Sequence, residues 1–244
     1  MEEIRLGILV PAINCVVEPD MCKMAPEGVT VHSTRLQAFQ ASRMHGAEIT
    51  ELIKLYEQAG DDAVNVAPIL AQVEPKVIAF ADTTCSFFKG IEYNENLTRR
   101  IEAAAGVKSI TATTAVVEAL KELRLKRICL ITPYLEYFTE KLKEYLEASG
   151  FEVPAYKNLG LVGRPIDQQS AEVIYETVVS TFDQRCDGIF VSCTNFKAVE
   201  IIEKVESHLG RPMTSSNQAM MWLMLRLAGV RKQITGFGEL LTRL

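Results

Sequence analysis

The chain has 244 residues, of which 48% are hydrophobic and 23% are charged, and its formal net charge is −5. This composition is typical of a soluble globular protein that can bury a sizeable core. The acidic balance, without any basic run, argues against nucleic acid as a partner. No apolar segment approaches the roughly 18 residues that span a bilayer, so we expect no membrane partner either.

The cysteine pattern indicates a reducing compartment. None of the six cysteines forms a CxxC pair, and a chain of this length does not need a disulfide framework. We therefore expect free thiols and, because the acidic N-terminus does not resemble a signal peptide, a cytoplasmic location. Buried cysteines usually act as small core hydrophobes, and a structural role is the leading interpretation for four of the six. These four are Cys15, Cys22, Cys129 and Cys186.

Strands and helices alternate in the first part of the chain. Pro11 stops an apolar, β-rich run, while Gly60 and Asp61 resemble the end of one helix and the cap of the next. The predicted elements are, in chain order, strands over 4–10 and 29–36, helices over 46–59 and 61–75, a strand over 77–81 and a helix over 92–105.

The pattern restarts near residue 127. Pro133 and Tyr134 open a predicted helix that ends at Gly150, and Ser216 with Asn217 predicts the cap of the last helix. The predicted elements are strands over 127–131, 151–156 and 188–192, helices over 135–148, 166–184 and 197–208, a short run at Met213, and a final helix that reaches Ala228. Strands that alternate with helices of this length predict βαβ units and a parallel sheet, and therefore an α/β fold.

Two short stretches read as one motif written twice. The buried-strand run 76–81 breaks into 82–86 (Asp-Thr-Thr-Cys-Ser), and the run 187–191 breaks into 192–196 (Ser-Cys-Thr-Asn-Phe). Ligands of open parallel sheets bind at the carboxyl ends of the strands, so both breaks are expected sites for chemistry. A chain that builds such an end twice predicts two related halves facing one cleft.

The familiar cofactor motifs are missing from the sequence. There is no GxGxxG, GxxxxGK[ST] or GxSxG, which argues against dinucleotide, NTP and α/β-hydrolase sites. His32, His45 and His208 are scattered and lack metal-ligand spacing. We therefore expect neither a metal nor a cofactor, but a site made of a thiol, hydroxyls and backbone amides.

Cys193 is the strongest catalytic candidate. It lies between a predicted strand end and a predicted helix, whose dipole and free N–H groups should favour the thiolate and lower its pKa. Thr83, Thr84 and Ser86 occupy the matching corner of the other half. Their hydroxyls and N–H groups could hold a carboxylate or a developing enolate, although the threonines could also simply cap a helix.

These residues carry a resemblance to a known group of enzymes. Residues 7–11 (Gly-Ile-Leu-Val-Pro), Asn14 and 17–20 (Val-Glu-Pro-Asp) resemble the start of maleate cis-trans isomerases. Residues 82–90 and 132–134 (Thr-Pro-Tyr) are closer to arylmalonate decarboxylases. Together with Ser-Cys-Thr at 192–194, they make the chain similar to the aspartate/glutamate racemase superfamily over nearly its whole length.

The resemblance implies an α/β fold of two pseudo-symmetric, Rossmann-like or flavodoxin-like halves with parallel sheets and an active-site cleft between them. We assign residues 1–113 and 217–244 to the N-terminal half and residues 114–216 to the C-terminal half. The resemblance also implies a small dicarboxylic acid as the substrate. A homo-oligomer is compatible with the sequence, which does not specify the oligomeric state.

The resemblance also assigns roles to residues. Racemases and isomerases of this superfamily carry a cysteine at each strand end, and Cys193 matches the second, whereas the first falls on Asp82. The decarboxylases lack the first cysteine and carry glycine there. In them, residues matching Thr83, Thr84 and Tyr134 bind a carboxylate and the enediolate, which the cysteine matching Cys193 then protonates.

Three functions follow. The leading one is decarboxylation of a 2-substituted malonic or related small dicarboxylic acid, without a cofactor. The first alternative is maleate isomerisation or racemisation, with Cys193 paired to Cys85 or Asp82; Cys85 either faces the cleft or packs beneath it. The second alternative is a protein that binds a small acid without chemistry. Further residues near the strand ends are predicted to contact the substrate: Pro11, Asn14 (or only a turn residue), Ser86, Thr194 and Asn195.

Overall fold

The computed structural model describes residues 3–38, 44 and 46–244 of the chain. His45 lies outside the described residues, and the helix predicted from Gly46 begins at Ile49 instead. The elements of the first part are β1 (Ile4–Val10), α1 (Val17–Met24), β2 (Val29–Arg35), α2 (Ile49–Ala71), β3 (Val77–Phe80), α3 (Thr83–Phe87), α4 (Ile91–Ala105) and β4 (Ser109–Thr111).

The second part repeats this alternation. Its elements are α5 (Ala112–Glu122), β5 (Arg127–Thr132), α6 (Glu136–Ala148), β6 (Glu152–Asn158), α7 (Ala171–Thr181), β7 (Gly188–Val191), α8 (Ile202–Leu209), β8 (Met213–Ser215) and α9 (Ser216–Leu227). Short 3-10 turns span Arg164–Ile166, Val199–Ile201 and Leu240–Arg243. Among the helices of the described residues, none is long and apolar enough to cross a membrane.

The strands form two parallel sheets of four strands each, with the orders β2-β1-β3-β4 and β6-β5-β7-β8. The two orders are equivalent, which confirms the predicted α/β fold with two related parallel sheets. In each sheet the third strand along the chain, β3 or β7, lies in the interior of the sheet, and all of its residues are buried. Strands that are covered on both faces consist of continuous apolar runs. For this reason the sequence pattern predicted them.

The helix that follows the last strand of each sheet packs across the junction between the sheets. Helix α5 contacts α9 and β8, while α9 contacts α1 and β3. Each sheet is therefore partly covered by the helix that follows the last strand of the other sheet. The assignment of 1–113 with 217–244 to one half, and of 114–216 to the other, stays a prediction.

The predicted helix break at Gly60 is wrong. Helix α2 runs without interruption from Ile49 to Ala71. Gly60 is buried in this helix, and a Cβ atom there would lie 2.9 Å from the hydroxyl oxygen of Tyr93. Asp61 does not cap a helix but pairs with Arg100 at 2.7 Å. The glycine therefore permits close packing of α2 on α4 rather than a turn.

Several predicted helix ends also differ from the structure. The helix predicted over 166–184 spans only α7, which begins after Ser170, whose hydroxyl caps it by accepting from Val173 N. The helix predicted from 197 begins at Ile202, after a 3-10 turn. The N-cap of α9 is Ser215 and not, as predicted, Ser216 or Asn217. The elements that were not predicted are α1, β4 and α5.

Candidate functional site

A cleft of about 60 Å³ lies where the two repeated motifs meet. It is bounded by the segments that follow β1, β3, β5 and β7. A space of this size has room for a few water molecules or for part of a small acid. The described residues that line it are Pro11, Ile13, Asn14, Met44, Tyr56, Asp82, Thr83, Thr84, Tyr134, Gly163, Ile166, Cys193, Thr194 and Asn195.

Two of the predicted site residues do not line this cleft. Cys85 is completely buried beneath it, where its thiol donates to the carbonyl oxygen of Tyr56 at 3.0 Å. Ser86 is also buried, and its hydroxyl donates to the carbonyl oxygen of Thr83 at 2.8 Å and contacts Thr113 Oγ1 at 2.6 Å. Of the two readings of Cys85, packing beneath the cleft is therefore the correct one.

The hydroxyl side of the cleft is built by the short helix α3. Asp82 is its N-cap, and Oδ1 of Asp82 accepts from Cys85 N at 2.9 Å. This cap turns Thr83 and Thr84 toward the other half of the protein. The Thr84 side chain lies near the hydroxyls of Tyr56 and Tyr134 and acts to lower the pKa of each, against the larger effect of burial. The cleft thus has a wall of adjacent hydroxyl groups, each able to donate to an anion.

The opposite wall carries Cys193, whose backbone has φ 103°, in the left-handed region. Its N–H donates to Ser216 Oγ at 3.1 Å, and the same hydroxyl accepts from Thr83 Oγ1 at 3.0 Å. Ser216 therefore couples the two motifs directly. A non-glycine residue with this φ is strained, and such strain is found where surrounding contacts hold a functional group in place.

The predicted low pKa of the Cys193 thiol is wrong. No helix starts directly after it, since residues 194–198 form a turn, a bend and irregular chain, so the expected dipole is missing. Cys193 is only 9% exposed, and burial raises its pKa to about 12. The N–H of Asn195, 3.4 Å from Sγ, and the hydroxyl of Tyr134 partly oppose this. The thiol is consequently protonated at neutral pH.

Asp82 also has a displaced pKa. It is 8% exposed, and burial raises its pKa to about 7, although the backbone N–H groups of Cys85 and Thr84 act in the opposite direction. Loss of hydration penalises the charged carboxylate more than these two donors stabilise it. Asp82 is therefore close to half-protonated at neutral pH.

Hydrogen bonds across the cleft hold its two sides together. Asn14 Nδ2 donates to Thr194 Oγ1 at 2.9 Å, and that hydroxyl donates to the carbonyl oxygen of Ala81 at 2.8 Å. Asn195 Oδ1 accepts from Cys15 N at 3.0 Å. Asn14 also accepts from two N–H groups at the start of α1. These predicted substrate-binding residues thus also join the halves.

Sequence reasoning missed a buried pair behind the Cys193 loop. Asn217 Nδ2 donates both to Asp20 Oδ2 at 2.8 Å and to the carbonyl oxygen of Thr194 at 3.1 Å. Burial raises the pKa of Asp20 to about 6. The available signal was Asn217 in the first turn of the largely apolar α9, whereas α1, which carries Asp20, also contains Glu18 and Lys23 and shows no such contrast. The apolar lining at Ile13, Met44 and Ile166, and the hydroxyl of Tyr56, gave no comparable signal.

Among the described residues, no group of three acidic, histidine or cysteine side chains could hold a metal ion.

Comparison with known proteins decides the family. The profile of the arylmalonate decarboxylase family matches residues 6–241. The chain belongs to this family. The predicted resemblance to the aspartate/glutamate racemase-like superfamily is thereby confirmed, and so is the prediction of a lyase or an isomerase.

Relatives with two different activities are about equally similar. The chain is 27% identical to the arylmalonate decarboxylase of Bordetella bronchiseptica, covering 96% of this chain and 95% of the relative. It is 26% identical to the maleate isomerase of Geobacillus stearothermophilus, covering 98% and 97%. These values establish the family and leave the activity open.

Solved structures of the same two kinds share the fold. The maleate isomerase of Pseudomonas putida S16 with maleate has a TM-score of 0.90 at 21% identity, covering 99% of this chain and 98% of that one. An arylmalonate decarboxylase structure has a TM-score of 0.81 at 25% identity, covering 98% and 100%.

Proposed function

We propose that this enzyme decarboxylates a 2-substituted malonic acid without a cofactor, and that Cys193 supplies the proton. The observation that carries the proposal is the lone thiol of the cleft: Cys193 is protonated, faces a wall of hydroxyls, and has no second thiol opposite it among the described lining residues. A two-thiol racemase or isomerase site needs a cysteine at each strand end, and Asp82 stands at the first.

Binding of the acid uses the hydroxyl wall. Thr83, Thr84 and Tyr134 present their hydroxyls from both halves of the protein. Burial raises the pKa of the Tyr134 hydroxyl well above its ordinary value, so this group keeps its proton and donates. One carboxylate of the substrate accepts hydrogen bonds from Thr84 and Tyr134, and from Thr83 once that hydroxyl turns from Ser216 Oγ, to which it donates in the structure. The same donors then face the oxygen on which negative charge develops during the reaction.

The second carboxylate lies toward the apolar lining formed by Ile13, Met44 and Ile166. A carboxylate without hydrogen-bond donors is poorly stabilised in such surroundings. Breaking the C–C bond releases this group as neutral CO2, and the bonding electron pair moves into the enediolate that the hydroxyl wall holds. The charge thus leaves an apolar region for a polar one, which lowers the barrier to CO2 loss.

Protonation completes the reaction. The Cys193 S–H bond breaks, its proton forms the new C–H bond at the α-carbon, and the thiolate regains a proton from water. A general acid must hold its proton at the operating pH, which the raised pKa of Cys193 ensures. The Asn195 N–H, 3.4 Å from Sγ, and the Tyr134 hydroxyl stabilise the thiolate left behind.

Proton NMR in D2O tests the proposal. Methylmalonate and phenylmalonate are incubated with the purified protein, and we expect a monocarboxylic product with one deuterium at the α-carbon. Cys193→Ala should abolish turnover and preserve the circular dichroism spectrum. Cys85→Ala is the matched control, because it removes a buried thiol outside the lining and should retain turnover. Turnover by Cys193→Ala would overturn the role of this thiol.

A second candidate is isomerisation or racemisation by Asp82 and Cys193. The observation that favours it is the pKa of Asp82, about 7, which suits a general base at neutral pH in the same cleft as a protonated thiol. It predicts conversion of maleate to fumarate, or α-exchange of a chiral diacid without CO2 loss. Asp82→Asn should then be as damaging as Cys193→Ala. Acids that bind and return unchanged would instead support a binding protein without chemistry.

A further inference from the structure

Asp82 places a carboxyl group inside a cleft that is suited to another carboxylate. It stands at the carboxyl end of β3 beside Thr83 and Thr84, and it forms part of the lining. None of the described lining residues is a lysine, arginine or histidine. A bound acid therefore meets the carboxyl of Asp82 without a compensating positive charge from these residues.

The groups that face Asp82 from neighbouring elements are neutral at neutral pH. They are Tyr56 from α2, Cys85 from its own helix, and Cys193 from the opposite half. Burial raises the pKa of each of them, so each keeps its proton. Only the backbone N–H groups of Cys85 and Thr84 stabilise a charge on Asp82. Two carboxylates in such surroundings cannot both stay ionised without a large cost.

We propose that Asp82 takes up one proton from solvent when a small acid binds, and that its protonated carboxyl then donates a hydrogen bond to the bound carboxylate. Asp82 is thus a specificity-determining residue that accepts acids and makes their affinity depend on pH. The inference rests on the proposed function only in taking the cleft as the place where the acid binds.

The surroundings of Asp82 support this proton uptake. Burial within the protein by itself raises the pKa of Asp82 to about 7, and a nearby negative charge raises it further. Below pH 7 the proton is mostly in place, so binding takes up little. Above pH 7 each acid molecule must bring one proton with it, and the affinity should fall about tenfold per pH unit.

Isothermal titration calorimetry measures the uptake directly. Methylmalonate is titrated into the Cys193→Ala protein, so that no heat of reaction is recorded, in Hepes and in Tris. The difference in apparent enthalpy between buffers of different ionisation enthalpy counts the protons taken up. We expect about one proton per acid near pH 8 and almost none near pH 6, together with a tenfold loss of affinity per pH unit above 7.

Two variants locate the proton. Asp82→Asn, added to the Cys193→Ala protein, should remove the uptake near pH 8; asparagine also caps helices well, so α3 is retained. Asp20→Asn is the matched control, because it alters another buried carboxyl with a raised pKa that lies outside the lining. This control should leave the uptake unchanged. Uptake that persists in Asp82→Asn would place the proton on the acid itself and overturn the inference.

The outcomes for this inference and for the decarboxylase proposal are separable. Proton uptake that Asp82→Asn removes, in a protein that does not decarboxylate any malonate, would support the inference while the proposed reaction fails. Decarboxylation together with binding that takes up no proton near pH 8 would overturn the inference alone. Failure of methylmalonate to bind even near pH 6 would also overturn it.

Discussion

Asp82→Asn should stabilise the ligand-free protein, and the gain should depend on pH. The pKa of this carboxyl is 3.8 without the influence of the fold and about 7 in the folded protein. A difference of about 3 pH units corresponds to ~4 kcal/mol of folding free energy, since each pH unit contributes ~1.4 kcal/mol. This is a large share of the total free energy of unfolding, which is roughly 5–15 kcal/mol for most proteins.

The sign follows from which state binds the proton. Below about pH 4 the carboxyl is protonated in both states, and folding carries no penalty from it. Between pH 4 and pH 7 the unfolded chain ionises Asp82 while the folded chain keeps it neutral, so wild-type stability falls as pH rises. The asparagine variant does not titrate and avoids this loss. The variant should therefore match the wild type near pH 4 and exceed it by up to ~4 kcal/mol near pH 8.

Urea unfolding at several pH values between about 4.5 and 8 provides the measurement. Asp183→Asn is a control without a pH trend in this range, because hydrogen bonds from Arg185 lower the pKa of Asp183 to about 2 and this carboxyl is ionised in both the folded and the unfolded state above about pH 4.5. That variant should differ from the wild type by nearly the same amount at every pH tested. The reasoning would be refuted if Asp82→Asn were more stable than the wild type by the same amount at all pH values, or less stable near pH 8. Asp82 would then not be a buried carboxyl with a raised pKa.

Three further predictions follow from packing and burial. Gly188→Ala should destabilise the fold by ~1–3 kcal/mol in urea unfolding, because its Cβ would lie 2.8 Å from the carbonyl oxygen of Pro212. An unchanged urea midpoint would contradict this packing. Asn217→Ala removes the amide that anchors the loop after Cys193, so kcat should fall more than KM rises, whereas a pure KM effect would argue against positioning. Iodoacetamide at neutral pH should modify exposed Cys15 before buried Cys193, as followed by peptide mass spectrometry; preferential labelling of Cys193 would contradict its raised pKa.

The sequence was informative about the sheets because their inner strands are buried on both faces. Such strands must be apolar throughout, and each ends where small polar residues begin, as at Asp82 and Ser192. The same local contrast identified Thr83, Thr84 and Cys193, all of which line the cleft. Short elements such as β4, with three residues, carry too little pattern to be recognised.

Other features depend on contacts between residues far apart in the chain. Gly60 looks like a helix end by itself, but it lies inside α2, where α4 packs so closely that a Cβ would meet the Tyr93 hydroxyl oxygen at 2.9 Å. Cys85 and Cys193 are both cysteines near the end of a buried strand. Yet α3 turns the first beneath the cleft, whereas the left-handed backbone of the second keeps it in the lining.

The sequence by itself determined the α/β architecture and the two strand ends that meet, because local polarity and periodicity encode both. The resemblance to a known family added further residues that line the cleft, such as Asn14 and Tyr134. Only the tertiary structure decided the protonation of the site. A pKa depends on burial by every element that surrounds a group, and these elements come from both halves of the chain. For this reason Cys193, expected to be a thiolate, is a protonated thiol, and Asp82 titrates near pH 7.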